Sequence, residues 1–275
     1  MSKQTAVITG ATSGIGAAFA REFARRGYDL VITGRRREVI EALAQGIREA
    51  CGVQVDVVLA ELSNQDGIQK IIDAISNKNV GVLVNNAGFG ASVLFQESDL
   101  PVMEQLAKVN VLAPMALTRA VLPGMVSRGS GAVINVSSEA VYMAIPKNTV
   151  YAASKAFLKT FTEGLHLDLY GTGVKAMAVC PGLTHTDFHE KMGLSKARQT
   201  DHGFVTWMSP EDVVRQAMRD IDKGKVISIP GSRTRMMIRM LSLLPRKSYF
   251  KLMLAFSRKA FGKRTEDREN PAALN

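Results

Sequence analysis

Tyr151 and Lys155 stand four residues apart in Tyr151-Ala152-Ala153-Ser154-Lys155, a spacing that puts both on one face of a helix. A phenol beside an ammonium ion suits proton transfer to a carbonyl oxygen. The tyrosine, ordinarily near pKa 10, can supply that proton if its pKa is drawn toward neutrality. Reduction also needs a hydride donor, and the start of the chain offers a place to hold one. Thr9-Gly10-Ala11-Thr12-Ser13-Gly14-Ile15-Gly16 follows an apolar run and leads into a helical pattern. Glycines at 10, 14 and 16 let the backbone turn sharply against a diphosphate. The helix N-terminus adds free N–H groups and the positive end of its dipole. The G-x-x-x-G-x-G spacing departs from the G-x-G-x-x-G fingerprint, and taken alone it also fits a tight strand–helix connection. The next apolar run ends Ile32-Thr33-Gly34-Arg35-Arg36-Arg37 with no acidic residue at its tip. A carboxylate there would accept from a ribose 2′-hydroxyl, whereas arginine offers bidentate, charge-assisted bonds to a 2′-phosphate. NADP(H) is therefore the expected cofactor, with Arg35 the first candidate, Arg36 the second, and Arg37 opening a solvated helix.

These residues need strand ends to carry them. Short β-branched-rich runs at Thr5–Thr9, Asp29–Thr33, Gln54–Leu59, Gly81–Asn85, Ala132–Ser137, Lys175–Cys180 and Lys225–Ile229 alternate with longer amphipathic stretches. Phe19, Ala20, Phe23 and Ala24 repeat at helical spacing, and Gly27 stops that helix. The alternation predicts a doubly wound α/β fold: a seven-stranded parallel sheet with helices on both faces and a ligand crevice beyond the carboxyl ends of its strands. The chain has 275 residues, 46% hydrophobic and 22% charged, enough to bury a core without a disulfide or metal staple. Cys51 and Cys180 form no C-x-x-C pair, which excludes a disulfide scaffold and a thiol zinc site and fits a reducing compartment. No signal-peptide pattern precedes Thr5-Ala6-Val7-Ile8, so a cytoplasmic location is expected.

Further pieces lie in order along the chain. Asn85-Asn86-Ala87-Gly88 follows the fourth strand, and Asn110 sits in Lys108-Val109-Asn110-Val111. Ser137-Ser138 closes the fifth strand, and Pro181-Gly182 follows the sixth with Thr186 four residues beyond the glycine. With the glycine turn and Tyr151-x-x-x-Lys155, this set resembles the short-chain dehydrogenase/reductase family from residue 5 to about 230. The resemblance implies a Rossmann fold and residue roles. Ser138, thirteen residues before Tyr151 as is usual in the family, polarises the carbonyl, and Tyr151 exchanges the proton. Lys155 lowers the Tyr151 pKa and binds the nicotinamide ribose, while Asn110 holds a water linking Lys155 to solvent. Cofactor contacts are implied at Gly10, Thr12, Ser13, Gly14, Ile15, Gly16, Arg35, Arg36, Asn86, Ala87, Gly88, Tyr151, Lys155, Pro181, Gly182, Thr184 and Thr186. Glu61-Leu62 stands where the family usually shows Asp before an apolar residue, so the adenine contact passes to Glu61 or to the Leu62 backbone. A homo-oligomer, dimer or tetramer, is expected.

Phe89, Val93, Tyr142, Met143, Ile145, Leu183, Met192, Phe204 and Trp207 are the pocket candidates, and their apolar character points to a lipophilic ketone or aldehyde. Ser138, Tyr142, Tyr151, Phe204 and Trp207 are the expected substrate contacts. His185 and His189 are spaced i,i+4 beside Glu190, but no third ligand has recognisable spacing and no metal is expected. The segment falls where the family carries a substrate lid. His166 reads as packing or surface, and the sequon Asn135-Val136-Ser137 lies in a buried strand and is incidental.

The net charge of +10 is unevenly placed. Residues 231–264 hold ten Lys or Arg and no Asp or Glu; residues 265–275 carry net −2, which leaves +2 for residues 1–230. The expected organisation is a catalytic domain over 1–230, a basic amphipathic extension over 231–264 and a flexible tail over 265–275. Within 236–262 no apolar run reaches transmembrane length. On a helical wheel Lys247, Lys251 and Arg258 share one side and Tyr249, Phe250, Leu252, Met253, Phe256 and Phe261 the other. Such a helix lies on an anionic membrane, docks on its own domain or joins a second subunit, and the pattern does not choose among the three. Nucleic acid is not an expected partner, because no binding fold is recognisable. Two rivals to an oxidoreductase stand beside it: a catalytically idle NADP-binding sensor and a membrane-recruited interaction protein.

Overall fold

The computed structural model describes residues 3–191, 200–201 and 206–261. The central strands alternate between two helical layers, with one register shift where Val80 and Val82 meet Thr5 and Ala6. Ala6 and Ile8 of β1 (Thr5–Ile8), Leu30 and Ile32 of β2 (Asp29–Gly34), and Val82 and Val84 of β4 (Val80–Asn85) face one layer. That layer is α1 (Gly14–Arg25), α2 (Arg37–Cys51) and α8 (Pro210–Asp222). Val7, Val31 and Leu83, one residue out of phase, face α3 (Gln65–Ile75), α5 (Ala113–Ser127) and α6 (Thr149–Asp168). Two-sided burial is why these strands read as continuous apolar runs. With β3 (Val55–Leu59), β5 (Gly131–Val136), β6 (Val174–Val179) and β7 (Ile227–Ser228), the sheet order is β3-β2-β1-β4-β5-β6-β7, all parallel. The order reverses between β1 and β4, and the crevice opens beyond their carboxyl ends.

β7 is shorter than the sequence suggests. Lys225 leaves the ladder to pair with the buried carboxylate of Asp220 at 2.7 Å, and Ser228 Oγ donates to the same side chain at 2.7 Å. A polar ladder sets the depth of α5 and α6 on the sheet. Asn85 Nδ2 donates to Thr118 Oγ1 at 3.1 Å and to Asn135 Oδ1 at 2.8 Å, and Asn135 Nδ2 donates to Thr162 Oγ1 at 2.8 Å. Asn135 is fully buried, which leaves its sequon incidental as expected.

α4 (Leu100–Ala107), a π-helical turn (Lys108–Leu112) and α5 form one continuous helical run. By length and composition Leu100–Ser127 is long and apolar enough to cross a membrane. Here it packs on the sheet through Leu106, Val109, Leu117, Val121 and Met125, all buried.

The extension folds as α9 (Ser232–Ser242) and α10 (Arg246–Phe261), broken at Pro245. Of the three docking modes its pattern allows, contact with its own domain is present: Ile238, Leu241 and Met253 are buried. Tyr249 Oη accepts from Ala144 N at 2.7 Å and donates to Tyr142 O at 3.4 Å. Lys247 and Lys251 are exposed. Residues 265–275, expected to be flexible, lie outside the described residues. Replacing Tyr249 by Phe should cost about 1 kcal/mol locally by stripping Ala144 N–H of its acceptor. Amide exchange at Ala144 is then expected to quicken by roughly fivefold, with the sheet amides unchanged.

Candidate active site

The glycine turn after β1 is held from the β4 side. Thr9 Oγ1 accepts from Asn86 N and Ala87 N, both at 3.0 Å, and Asn86 Nδ2 donates to Thr9 O and Gly10 O, also at 3.0 Å. Gly10 and Gly14 adopt φ of +67° and +57°, and neither has room for a side chain. A Cβ would come within 2.8 Å of Ala87 Cα at the first and 2.6 Å of Thr186 Cγ2 at the second. A Cβ on Gly16 would strike Gly10 O and Asn86 Nδ2, and Ile15 packs against the core. Thr186 thus closes over the start of α1, on a strap where Thr184 Oγ1 donates to Gly182 O at 2.9 Å.

Beside this turn the arginines divide their work. Arg36 Nη2 donates to Thr12 Oγ1 and Ser13 Oγ, both at 3.1 Å, and to Asp187 Oδ2 at 3.2 Å. Arg35 Nη1 donates to Glu61 Oε2 at 3.1 Å. Arg36, the second sequence candidate, is therefore the one on the glycine turn. Glu61 is desolvated, which would raise its pKa, yet its bonds from Arg35 and Ser63 hold the carboxyl below the usual range. The extra methylene that sets it apart from the usual Asp carries its carboxylate to Arg35, and Leu62 is buried. Ser13, at the N-cap of α1, makes no side-chain capping bond. The convergence of Thr12, Ser13 and Arg36, with no carboxylate at the tip of β2, suits an adenosine 2′-phosphate.

The residues expected to handle the proton gather where β5 ends. Lys155 Nζ donates to Val136 O at 2.8 Å, and Ser137 Oγ donates back to Lys155 O at 2.7 Å. Ser137 is thereby spent on structure. Ser138 Oγ accepts from Ala140 N at 3.1 Å and lies near enough to the Tyr151 hydroxyl to draw its pKa down. Asn110 lies in the π turn, whose wider bore aims its side chain at both neighbours. Nδ2 donates to Phe89 O and Ser154 Oγ at 3.0 Å each, and Oδ1 accepts from Phe89 N at 3.2 Å. This gives Asn110 a structural tie besides the water-holding role expected of it. A Cβ on Gly88 would stand 3.2 Å from Lys155 Nζ, so a side chain there would crowd the ammonium.

The expected drop in the Tyr151 pKa is not what these surroundings produce. Burial pushes it up to about 12; the Ser138 hydrogen bond pulls down, and the charge of Glu139 pushes further up. Lys155 Nζ sits over the ring, 5.8 Å from its centroid, and burial draws its own pKa down to about 8. Both groups are thus displaced toward their neutral forms.

Among the substrate candidates, Val93 lines a cleft with Leu106, Val150 and Tyr151. Tyr142 and Met143 line a groove against Ile238, Leu241 and Phe250 of the extension. The Tyr142 hydroxyl lies beside the Cys180 thiol, and burial pushes its pKa up. Trp207 stacks on His185 at 5.2 Å, on a strand-like pairing in which His185 N donates to Met208 O and Met208 N to Leu183 O, both at 3.0 Å. Phe204 and Met192 lie outside the described residues, as does the His189 side chain. Among the described residues no group of three His, Cys, Asp or Glu side chains could hold a metal ion.

Three site residues escape a sequence reading. Phe188, on the short α7 (Asp187–Lys191), packs against the Tyr151 ring at 5.4 Å. Tyr249 reaches the 142–144 loop from far along the chain. Glu139 follows Ser138, and burial raises its carboxyl to about 7; an acid beside the serine pair at a strand end was its only signal.

A family model described as short chain dehydrogenase matches residues 4–197. The very-long-chain 3-oxoacyl-CoA reductase of Mus musculus is 32% identical over 263 residues, covering 92% of this chain and 79% of that protein. A short-chain dehydrogenase from Sphingobium yanoikuyae in complex with NADPH superposes with a TM-score of 0.77 at 28% identity, covering 99% of both chains. A short-chain dehydrogenase/reductase from Burkholderia phymatum in complex with NAD gives 0.77 at 25% identity, covering 91% of this chain and 95% of that one.

The raised pKa of Glu139 has a consequence for stability. Its folded-state pKa of about 7 lies above the ordinary 4.5, so ionising it opposes folding. That penalty is absent below pH 4.5, grows between 4.5 and 7, and is complete above. Glu139→Gln should therefore match the parent protein near pH 4.5 and exceed it at pH 8 by on the order of 2 kcal/mol. Thermal midpoints measured across that range are expected to diverge by a few degrees with rising pH.

Proposed function

This chain belongs to the short-chain dehydrogenase family, and from that premise we propose that it is an NADP(H)-dependent reductase of lipophilic ketones or aldehydes. It is an oxidoreductase acting on CH–OH and C=O groups with a nicotinamide nucleotide. The observation that carries the finer reading is the gathering of Ser138, Tyr151 and Lys155 at the end of β5, Lys155 Nζ lying 5.8 Å from the Tyr151 ring centroid, with Arg36 on the glycine turn. Held by the glycine turn and Lys155, a nicotinamide nucleotide would supply the hydride for the carbonyl carbon. Ser138 Oγ and Tyr151 Oη hold the carbonyl oxygen, and Tyr151 gives its proton to the emerging alkoxide. Lys155, charged below about pH 8, stabilises the phenolate left behind. The apolar cleft at Val93, Leu106 and Val150 and the groove at Tyr142, Met143 and Ile238 support a lipophilic substrate. The mouse relative is named for a very-long-chain 3-oxoacyl-CoA, a carbonyl compound of that character.

Titration with NADPH and NADH by cofactor fluorescence tests the cofactor assignment. NADPH is expected to bind at least about tenfold tighter, and Arg36→Ala to lose most of that margin. Arg35→Ala, whose guanidinium is engaged with Glu61, should lose less. If neither nucleotide binds the folded protein, the reading fails at its base. If NADPH binds but no carbonyl compound is reduced, the idle-sensor reading replaces it.

The proton assignment makes a separate statement about pH. Reduction needs Tyr151 and Lys155 both protonated, and Lys155, at about 8, is the first to lose its proton as pH rises. The reductive kcat/KM should be flat at neutral pH and fall about tenfold per pH unit well above 8. Tyr151→Phe should lower kcat by about 10²-fold or more while NADPH binding persists.

A further inference from the structure

The extension carries more apolar surface than its docking on the domain uses. On α9 the buried Thr234, Ile238 and Leu241 recur at i, i+4 and i+7, the spacing of one helix face. Met236, Met240 and Leu243 repeat that spacing two residues out of phase, which turns them to the far side of the helix. They are 48%, 56% and 83% exposed. A helix that only packs on its own domain needs one apolar stripe, and α9 has two. On α10 Met253 and Ser257 are buried, while Phe250, Leu252, Leu254 and Phe256 are exposed. Of the seventeen large apolar side chains exposed among the described residues, eight fall between Met236 and Phe256, so the surplus is concentrated here rather than scattered.

The charges around the second stripe define the surface that fits it. Arg239 borders it on one side and Arg233 on the other, and past the break at Pro245 Lys247 and Lys251 are exposed as well. Among the described residues none of these four has a carboxylate partner, whereas Lys78, Lys159 and Lys225 of the domain pair with Asp56, Glu163 and Asp220. The extension has no acid of its own to offer: residues 231–264 hold ten Lys or Arg and no Asp or Glu. The matching surface is therefore both apolar and negative. A second copy of this chain set against the same face would bring like charge to like charge. A nucleic-acid backbone would meet the cations but leave Met236, Met240 and Leu243 in water. An anionic bilayer offers acyl chains beneath a layer of negative headgroups, at the depth to which an interfacial helix sinks.

We propose that α9 and α10 seat the enzyme on an anionic bilayer. Met236, Met240 and Leu243 enter the boundary between headgroups and acyl chains, and Arg233, Arg239, Lys247 and Lys251 meet the headgroups. Ile238, Leu241 and Met253 hold the helices on the domain at the same time, so seating needs no release of the extension. The proposal is independent of the reductase reading, which neither vesicle binding nor its loss would alter.

The full chain is mixed with vesicles of phosphatidylcholine alone, or of phosphatidylcholine and phosphatidylserine in equal parts, and the bound fraction is read by flotation. The parent protein should bind the anionic vesicles at least about tenfold tighter than the neutral ones. Arg233→Gln, Arg239→Gln, Lys247→Gln and Lys251→Gln together should erase that margin. Met236→Gln, Met240→Gln and Leu243→Gln together should weaken anionic binding at least about fivefold and leave the remainder fully reversible by salt, as contact through charge alone is. All seven positions are exposed, so both variants should fold with thermal midpoints within a few degrees of the parent. Absence of binding to either vesicle overturns the proposal, as does equal binding to both or a charge variant that keeps the margin. A stripe variant that binds as tightly as the parent overturns it too, since charge alone then suffices. If light scattering shows a parent dimer that the stripe variant breaks up, with vesicles unbound, the face joins two copies of the chain and the bilayer is excluded.

Discussion

The site depends on a reciprocal clamp between the end of β5 and the middle of the first turns of α6. Lys155 Nζ donates to Val136 O, and Ser137 Oγ donates to Lys155 O. Two bonds running in opposite directions fix both the height and the rotation of the helix, which one bond would not. Asn110 completes the frame by joining the loop after β4 to Ser154 on the same helix. Tyr151 is then placed by construction, one turn before Lys155 and facing the Ser138 hydroxyl at the strand end. The polar ladder through Asn85, Asn135 and Thr162 lies deeper along the same two strands and the same helix. Catalytic geometry and core geometry are consequently one problem here, solved by the same hydrogen bonds.

Such close placement displaces the ionisable groups. Burial drives Tyr151 to about 12, Lys155 to about 8 and Glu139 to about 7, each away from its charged form. A site built this way costs the folded protein stability, and the supply lies in the sheet, whose central strands bury alternate residues against helices on both faces. The same desolvation strengthens any charge that does form at the reacting oxygen, because little water is present to screen it.

How far the sequence discloses this arrangement varies with the range of the interaction. The strands were legible because two-sided burial writes itself as an apolar run, and the glycine turn because Gly10 and Gly14 need left-handed backbone that few other residues adopt. Tyr151 and Lys155 were legible because helical periodicity alone brings them together. The π turn at Asn110 has no local marker; it arises where the long run from Leu100 to Ser127 must satisfy both sheet and α6. The split of duties between Arg35 and Arg36 depended on Glu61 and Asp187, which come from β3 and α7 and have no sequence proximity to either. The docking of α10 was open for a similar reason: amphipathicity names a face but not its cover, and the cover is the 142–144 loop.

The two arginine pairs show how the phosphate turn is joined to the rest of the site. Arg35 is held by a carboxylate from the β3 side, whose longer side chain spans the gap that an aspartate would leave. Arg36 is held by neutral hydroxyls of the turn and by Asp187, the first residue of the helix that also brings Phe188 onto the Tyr151 ring. One short helix thus joins the glycine turn, through Asp187, to the ring that packs on Tyr151. The turn after β5 is fixed separately, with Glu139 N donating to Pro181 O and Tyr142 N to Glu139 O, so the clamp between β5 and α6 is braced by the strap after β6 as well as by the sheet.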